Sequence, residues 1–184
     1  MDFLDLVKRR KSTRSFLKKD IPKENIETCI EAARLAPSAC NSQPWKFVIV
    51  TDQQNKEKVV EAILSGIYTD RSGINAFIRT APVIVAIVNE KMKLTARTGA
   101  FIRKIDYSLL DSGIAGEHFV LAATELGIST CWVGWFNESK LKKVLGVPKK
   151  KRITCLIAMG YAKNDSDKQK IRKEISEISS FEKY

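Results

Sequence analysis

The sequence predicts an α+β domain, a central sheet clad by helices, on three observations. Apolar runs with helical and strand-like spacing alternate along the chain, but without the strict βαβ repeat of a doubly wound fold. The run APVIVAIV at 81 to 88 is apolar at every position, as the middle strand of a sheet covered on both faces must be. No internal repeat, low-complexity tract or Pro/Gly-rich linker divides the 184 residues. That length fits one domain over residues 1 to 184, or a subunit that completes its core by pairing.

A first helix is predicted over residues 2 to 10, with Phe3, Leu6 and Val7 facing inward. A second runs from about Pro22 to Leu35. Pro22 suits a first-turn position, where a missing N–H costs nothing, and Ile26, Cys29, Ile30 and Ala33 recur at helical spacing. The polar loop PSACNSQP follows and leads into a strand at 46 to 51. Asp52 is placed to cap a helix over 53 to 65 that closes near Gly66. A polar, ill-defined stretch then precedes the strand at 82 to 88. A long helix is expected at about 104 to 126, ending at Gly127, with Ala115, Ala122 and Ala123 small enough for another helix to approach closely. The run STCWVGWF at 129 to 136 reads as a strand whose alternation puts Trp132 and Phe136 on one face and Trp135 on the other. Asn137 caps a short helix ending at Gly146, and RITCLIAMGY forms the last strand before a charged C-terminal arm.

With 44% hydrophobic and 29% charged residues the chain reads as soluble and globular. Its longest apolar stretch is far short of the roughly 20 residues that span a bilayer. The N-terminus MDFLDLVKRRKSTRSF carries its charges after its apolar residues and has no small-residue cleavage site, the wrong order for a secretory signal, so a cytoplasmic protein is expected. Cys29, Cys40, Cys131 and Cys155 have neither CxxC spacing nor the density of a disulfide scaffold. Three of them sit in apolar surroundings, where a free thiol behaves as a small core residue. The single histidine, His118, leaves no zinc site of the usual type and would have to serve any Ser/His/Asp triad by itself. Its setting, GIAGEHFVLAATEL, is that of an ordinary helical or interface histidine.

The net charge of +11 falls in blocks, at residues 8 to 19, 142 to 152 and 163 to 173. None has the interleaved aromatics of a stacking platform, and no zinc finger, RRM signature or clear helix-turn-helix occurs, so no nucleic-acid partner is expected. Most of the charge reads as solvated surface, with anion binding at selected positions. No GxGxxG follows a strand and no GxxxxGK[ST] occurs, which leaves a nucleotide-like cofactor to be held some other way.

Three separated segments have the chemistry of one anion- and ring-binding site. In RRKSTRSF, Arg10, Ser12 and Arg14 alternate along an extended stretch, so that two guanidiniums and a hydroxyl face one way, a donor set suited to phosphate. Read alone, it is a basic surface turn. In APSACNSQPW, Ser38, Asn41 and Gln43 offer amide and hydroxyl groups to a polar heterocycle, while Pro37 and Ala39 supply flat apolar contact. The plainer alternative is a loop that satisfies its own backbone. In KQKIRKE, Lys170 and Arg172 stand two apart and could close on the same phosphate; in isolation they are a solvated charge run.

In this order, with APVIVAIV, AGEHFVLAATELGISTCWVGWF and LIAMGY between the loop and the basic arm, the segments resemble the FMN-dependent nitroreductase family over nearly the whole chain. The second and fourth segments are the specific ones. The resemblance implies a mostly antiparallel sheet and a homodimer with two FMN molecules at its interface, the C-terminal arm reaching the partner. It places Arg10, Lys11, Ser12, Arg14, Lys170 and Arg172 near the phosphate, and Pro37, Ser38 and Ala39 along the ring from the partner chain. Asn41 or Gln43 would support the loop or the ribityl chain, and Val133 and Gly134 would aim backbone N–H groups at the flavin N5.

The implied reaction is ping-pong hydride transfer from NAD(P)H to a nitroaromatic, quinone or similar small-molecule acceptor. The ring carries the chemistry, so no side-chain nucleophile or general acid is demanded. Arg14 is the first choice for stabilising negative charge on the N1 edge of the reduced ring. Segments 66 to 80 and 90 to 106 are short and are expected to shape the acceptor pocket, and Asn75, Arg79, Arg97 and Arg103 are candidates only for the Asn and Lys that some relatives place on the flavin's pyrimidine edge. Relatives that use reduced flavin for flavin breakdown or reductive dehalogenation share the same motifs. A basic nucleic-acid-binding module without catalysis is the remaining alternative.

Overall fold

A computed structural model describes residues 2–66, 75–164 and 170–184. Helix α1, Phe3–Arg9, opens the chain, and α2, Lys23–Arg34, follows with Pro22 at its N-cap instead of inside the first turn. Strand β1 is Trp45–Val50 and α3 is Gln53–Ile63. The Asp52 side chain accepts the Asn55 N–H, the cap its position predicted. Strand β2, Val83–Asn89, leads to α4, Leu94–Arg103, and α5, Tyr107–Glu125. Strand β3, Ser129–Val133, and α6, Glu138–Leu145, precede β4, Ile153–Gly160, and a short α7, Ile175–Ile178.

The four strands form one antiparallel sheet in the order β1-β2-β4-β3. Both central strands are therefore apolar on both faces. Even-numbered β2 residues Ile84, Ala86 and Val88 pack with Val133, Leu156 and Ala158 against Val60 and Ile63 of α3 and Leu141 of α6. Odd-numbered Val83, Val85 and Ile87 pack with Ile157 and Met159 against Cys29 and Ala33 of α2 and Ala115, Phe119 and Ala123 of α5. Phe119 stacks on Phe47 of β1 with centroids 5.5 Å apart. Burying each large side chain in these layers contributes about 1.5–3 kcal/mol. Asn89 ties the layers together at one end, donating to Ser108 Oγ and accepting from the Ser112 and Thr154 hydroxyls.

Several expectations are corrected. The single helix expected at 104 to 126 is two, because Lys104 takes a left-handed conformation (φ 53°) that ends α4 before Asp106 caps α5. Strand β3 stops at Val133, not residue 136. Trp132 faces the α2/α5 layer while Phe136, beyond the strand, joins the α3/α6 layer, so the two do not share a face. Helix α1 buries none of its residues in the single chain, and Phe3 is 63% exposed.

Residues 12–17 run against the sheet's β3 side. Thr13 N–H donates to Thr130 O (2.9 Å), and Leu17 N–H to Tyr161 O (2.8 Å). Phe16 is thereby buried over Gly160, where a Cβ would lie 2.8 Å from its ring and 2.6 Å from Pro82, so only glycine fits.

Candidate flavin site

Helix α1 ends where Lys170, far along the chain, donates from its ammonium to the carbonyls of Val7 (2.9 Å) and Lys8 (2.5 Å). A cation at a helix C-terminus satisfies orphan carbonyls and meets the negative end of the dipole. This contact brings the C-terminal arm beside Arg10, the C-cap of α1. Burial lowers the Lys170 pKa first, and the charges of Arg10 and Arg172 lower it further. Burial raises the Cys131 thiol on β3, opposed by Arg14, a Ser12 hydroxyl directed at it, and Arg10. Arg10, Ser12 and Arg14 thus lie about Cys131 of β3, and Lys170, with Arg172 acting on it, lies beside Arg10. Lys11 is half-buried within the same segment. Cationic groups brought together beside a hydroxyl are a donor set that fits a multiply charged anion such as a phosphate ester.

Residues 37–43 form a strained loop on α5. Cys40, Asn41 and Gln43 all have positive φ, near 50°, a region that costs non-glycine residues roughly 1–2 kcal/mol each. Internal bonds hold it: Ser38 Oγ accepts the Gln43 N–H (2.9 Å), and Gln43 Nε2 donates to Asn41 Oδ1 (3.0 Å). The plainer reading of Ser38, Asn41 and Gln43 is thus met, since they bond one another. Pro37 lies on the surface and Ala39 is half-buried. The loop is tied to the body at Asp111, 3% exposed, whose carboxylate accepts the Ala39 N–H at 3.1 and 3.2 Å, and at Ser42, whose Oγ accepts the Lys93 N–H at 3.3 Å. Burial pushes the Asp111 pKa up, opposed by this bond.

Val133 is buried at the last position of β3, and Gly134 beyond it is exposed, with no atom within 4 Å of where a Cβ would stand. Asn75, buried, donates to the Trp135 carbonyl (2.8 Å) and so holds the stretch after Gly134. Arg14 lies 5.9 Å from the Phe77 ring centroid. Arg97 and Arg103 are exposed on α4, and Arg79 faces the groove between α3 and residues 76–80. Most of the segment 66 to 80 falls at residues 67–74, outside the described residues.

Sequence reasoning missed Asp111 and Glu117. Burial raises the Glu117 pKa, opposed by Arg10, the Trp132 indole N–H directed at its carboxylate, His118 and Lys170. The available signal was an acid inside an otherwise small and apolar helical run, DSGIAGEHFVLAA. His118 is an ordinary helix-packing residue, its Nδ1 3.2 Å from Ala32 O.

Residues 7–161 match the family model described as the nitroreductase family. The chain belongs to the nitroreductase family. It is 30% identical to a Streptococcus pyogenes protein provisionally named an NAD(P)H nitroreductase, across 88% of this chain and 90% of that one. It is 27% identical to mouse iodotyrosine deiodinase 1, across 90% of this chain and 64% of the mouse protein. The crystal structure of a nitroreductase family protein from Clostridium novyi superposes with a TM-score of 0.74 at 29% identity, covering 89% of this chain and 87% of that one. The nitroreductase match contains the first basic segment, the loop and β3, and ends before Lys170 and Arg172.

Proposed function

We propose that the protein is an FMN-dependent oxidoreductase that passes hydride from NAD(P)H to a nitroaromatic, quinone or similar conjugated acceptor by a ping-pong route. The carrying observation is that Lys170 of the C-terminal arm bonds the carbonyls at the end of α1 beside Arg10, while Arg10, Ser12 and Arg14 lie about Cys131 of β3. Family membership supports the same reading, as does the S. pyogenes relative's name. When bound, FMN supplies a ring able to accept hydride from a nicotinamide and return it to an acceptor.

In this reading the chain's own groups bind and tune. Arg10, Lys11, Ser12, Lys170 and Arg172 hold the phosphate. Arg14 stabilises negative charge at the N1 edge of the ring, and the backbone N–H groups of Val133 and Gly134 orient the N5 edge. The loop from Pro37 to Gln43 frames the ring from a second copy of the chain. A homodimer is supported by the apolar residues left uncovered on α1 (Phe3, Leu4), α4 (Phe101, Ile102) and the arm (Ile175, Phe181). Among the described residues no helix is long and apolar enough to cross a membrane.

The test is direct. Purified protein should be yellow, with FMN released on denaturation, and should oxidise NAD(P)H with a quinone or nitro compound. Arg14→Ala should weaken FMN retention or slow ring reduction; unchanged binding and rate would remove Arg14 from the site. The deiodinase relative favours a second reading, reductive dehalogenation on the same flavin. Turnover of a halogenated phenol, without steady turnover of quinone or nitro compounds, would select it.

A further inference from the structure

Cys40, Asn41 and Gln43 hold φ of 50°, 51° and 47°, and such backbone persists only where its surroundings over-determine it. The far end of their loop has two anchors. The Lys93 N–H reaches Ser42 Oγ (3.3 Å), and the Glu90 N–H donates to Pro44 O (3.0 Å). The near end, Pro37 to Ala39, meets the Asp111 carboxylate, both of whose oxygens are directed at the Ala39 N–H. Asp111 is itself braced. On either side of it along α5, Ser108 and Ser112 bond the Asn89 side chain at the end of β2, each at 2.9 Å. Asn89, Ser108, Ser112 and Asp111 thus join the sheet, a turn of α5 and the loop in series, and the series ends on the stretch that carries Pro37, Ser38 and Ala39.

We propose that Asp111 is a positioning residue for the flavin ring, fixing from inside the fold the end of the loop that lies along the ring of the paired copy. The inference rests on the flavin reading above and on the pairing it includes. A surface loop needs no buried carboxylate to close its own turn, because Ser38 and Asn41 already do so through their bonds to Gln43. Taking a carboxylate out of water is unfavourable, and a bond made from within the body fixes where the loop stands as well as its shape. A binding surface held in place before the ligand arrives leaves less ordering to be done on binding. Without the Asp111 carboxylate the near end is freed while the anchors at Ser42 and Pro44 stay, so the change is local.

The experiment compares the natural full chain with Asp111→Ala, which leaves the Ala39 N–H without this acceptor, and with Asp111→Asn, whose amide oxygen restores one. Dissociation constants are measured for FMN and for riboflavin, which lacks the phosphate, and the visible absorption band of each bound flavin is recorded at saturation. Asp111→Ala should raise both constants by the same factor, about fivefold for one lost hydrogen bond. Its saturated band should move towards that of free flavin. Asp111→Asn should return both readings to the natural values. In the flavin-free chains, hydrogen exchange at the Asn41, Ser42 and Gln43 amides, all bonded to Ser38 or Ala39, should quicken in Asp111→Ala while β2 amides stay protected. Should Asp111→Ala fail to fold, Asp111→Ser takes its place, with a hydroxyl one bond further from the Ala39 N–H. A role in stability alone would quicken exchange throughout and leave the saturated band where it was; that result overturns the proposal. So does weaker binding of FMN without weaker binding of riboflavin, or an asparagine variant that behaves like the alanine one. Both flavins bound equally, with one band, by all three proteins would overturn the role of Asp111 and leave the flavin reading standing. If the natural protein takes up neither flavin, the flavin reading falls and the ring role of Asp111 with it.

Discussion

At Asp111 a buried carboxylate holds one backbone N–H, and its raised pKa fixes how stability responds to pH. A carboxyl whose folded pKa lies above its ordinary 3.8 contributes stability that is present below that value and lost as pH rises through the folded pKa. Asp111→Asn keeps an acceptor for Ala39 and drops the charge. Its thermal midpoint should therefore gain on the natural protein's as pH rises from 3.8 to neutrality. Asp111→Ala, which strands the Ala39 N–H, should be about 1 kcal/mol less stable than the asparagine variant at pH 7. A midpoint difference between natural protein and Asp111→Asn that stays constant from pH 3 to 8 would count against the buried charge. Residue-level legibility follows from range. Asp52 and Asn137 could be read because a cap bonds N–H groups three residues away. Asp111 and Glu117 could not, because their partners lie at Ala39, Arg10 and Lys170, chosen by the fold rather than by spacing.

Among the elements, those bounded by local signals came close to their predicted limits. The Gly146 left-handed cap ends α6, and the all-apolar β2 occupies an inner place in the sheet. The two misread boundaries share a cause. A lysine at Lys104 gives no hint of a left-handed turn, and the apolar run through Trp135 and Phe136 continues past the point where β3 loses its pairing with β4. The loop at 37–43 was recognised from its surplus of polar side chains, but its backbone strain was invisible. That strain makes a prediction. Cys40 is exposed at φ 50°, so Cys40→Gly should raise stability by up to about 1 kcal/mol in urea unfolding. Cys40→Ala should give no such gain, and equal effects of the two would mean that the thiol, not the backbone, matters.

Taken as a whole, the single chain leaves large apolar side chains uncovered: Phe101 is 86% exposed and Phe181 92%. The proposed pairing gives these groups a partner, and sedimentation of the purified protein should give twice the 20.7 kDa chain mass. Ile175→Asp combined with Phe181→Asp should shift it towards one copy and weaken flavin retention together; a natural protein that sediments as a single chain would end the dimer proposal. Which surfaces meet was not legible from periodicity, since α1 looks amphipathic whether a neighbour comes from the same chain or another. The strand order has a consequence for synthesis. Because β4, last of the four to leave the ribosome, lies between β2 and β3, a nascent chain can pair only β1 with β2 until about residue 160 emerges. The waiting β3 edge is then exposed to chaperones, and stalled or truncated translation products lack the strand that joins the halves of the sheet.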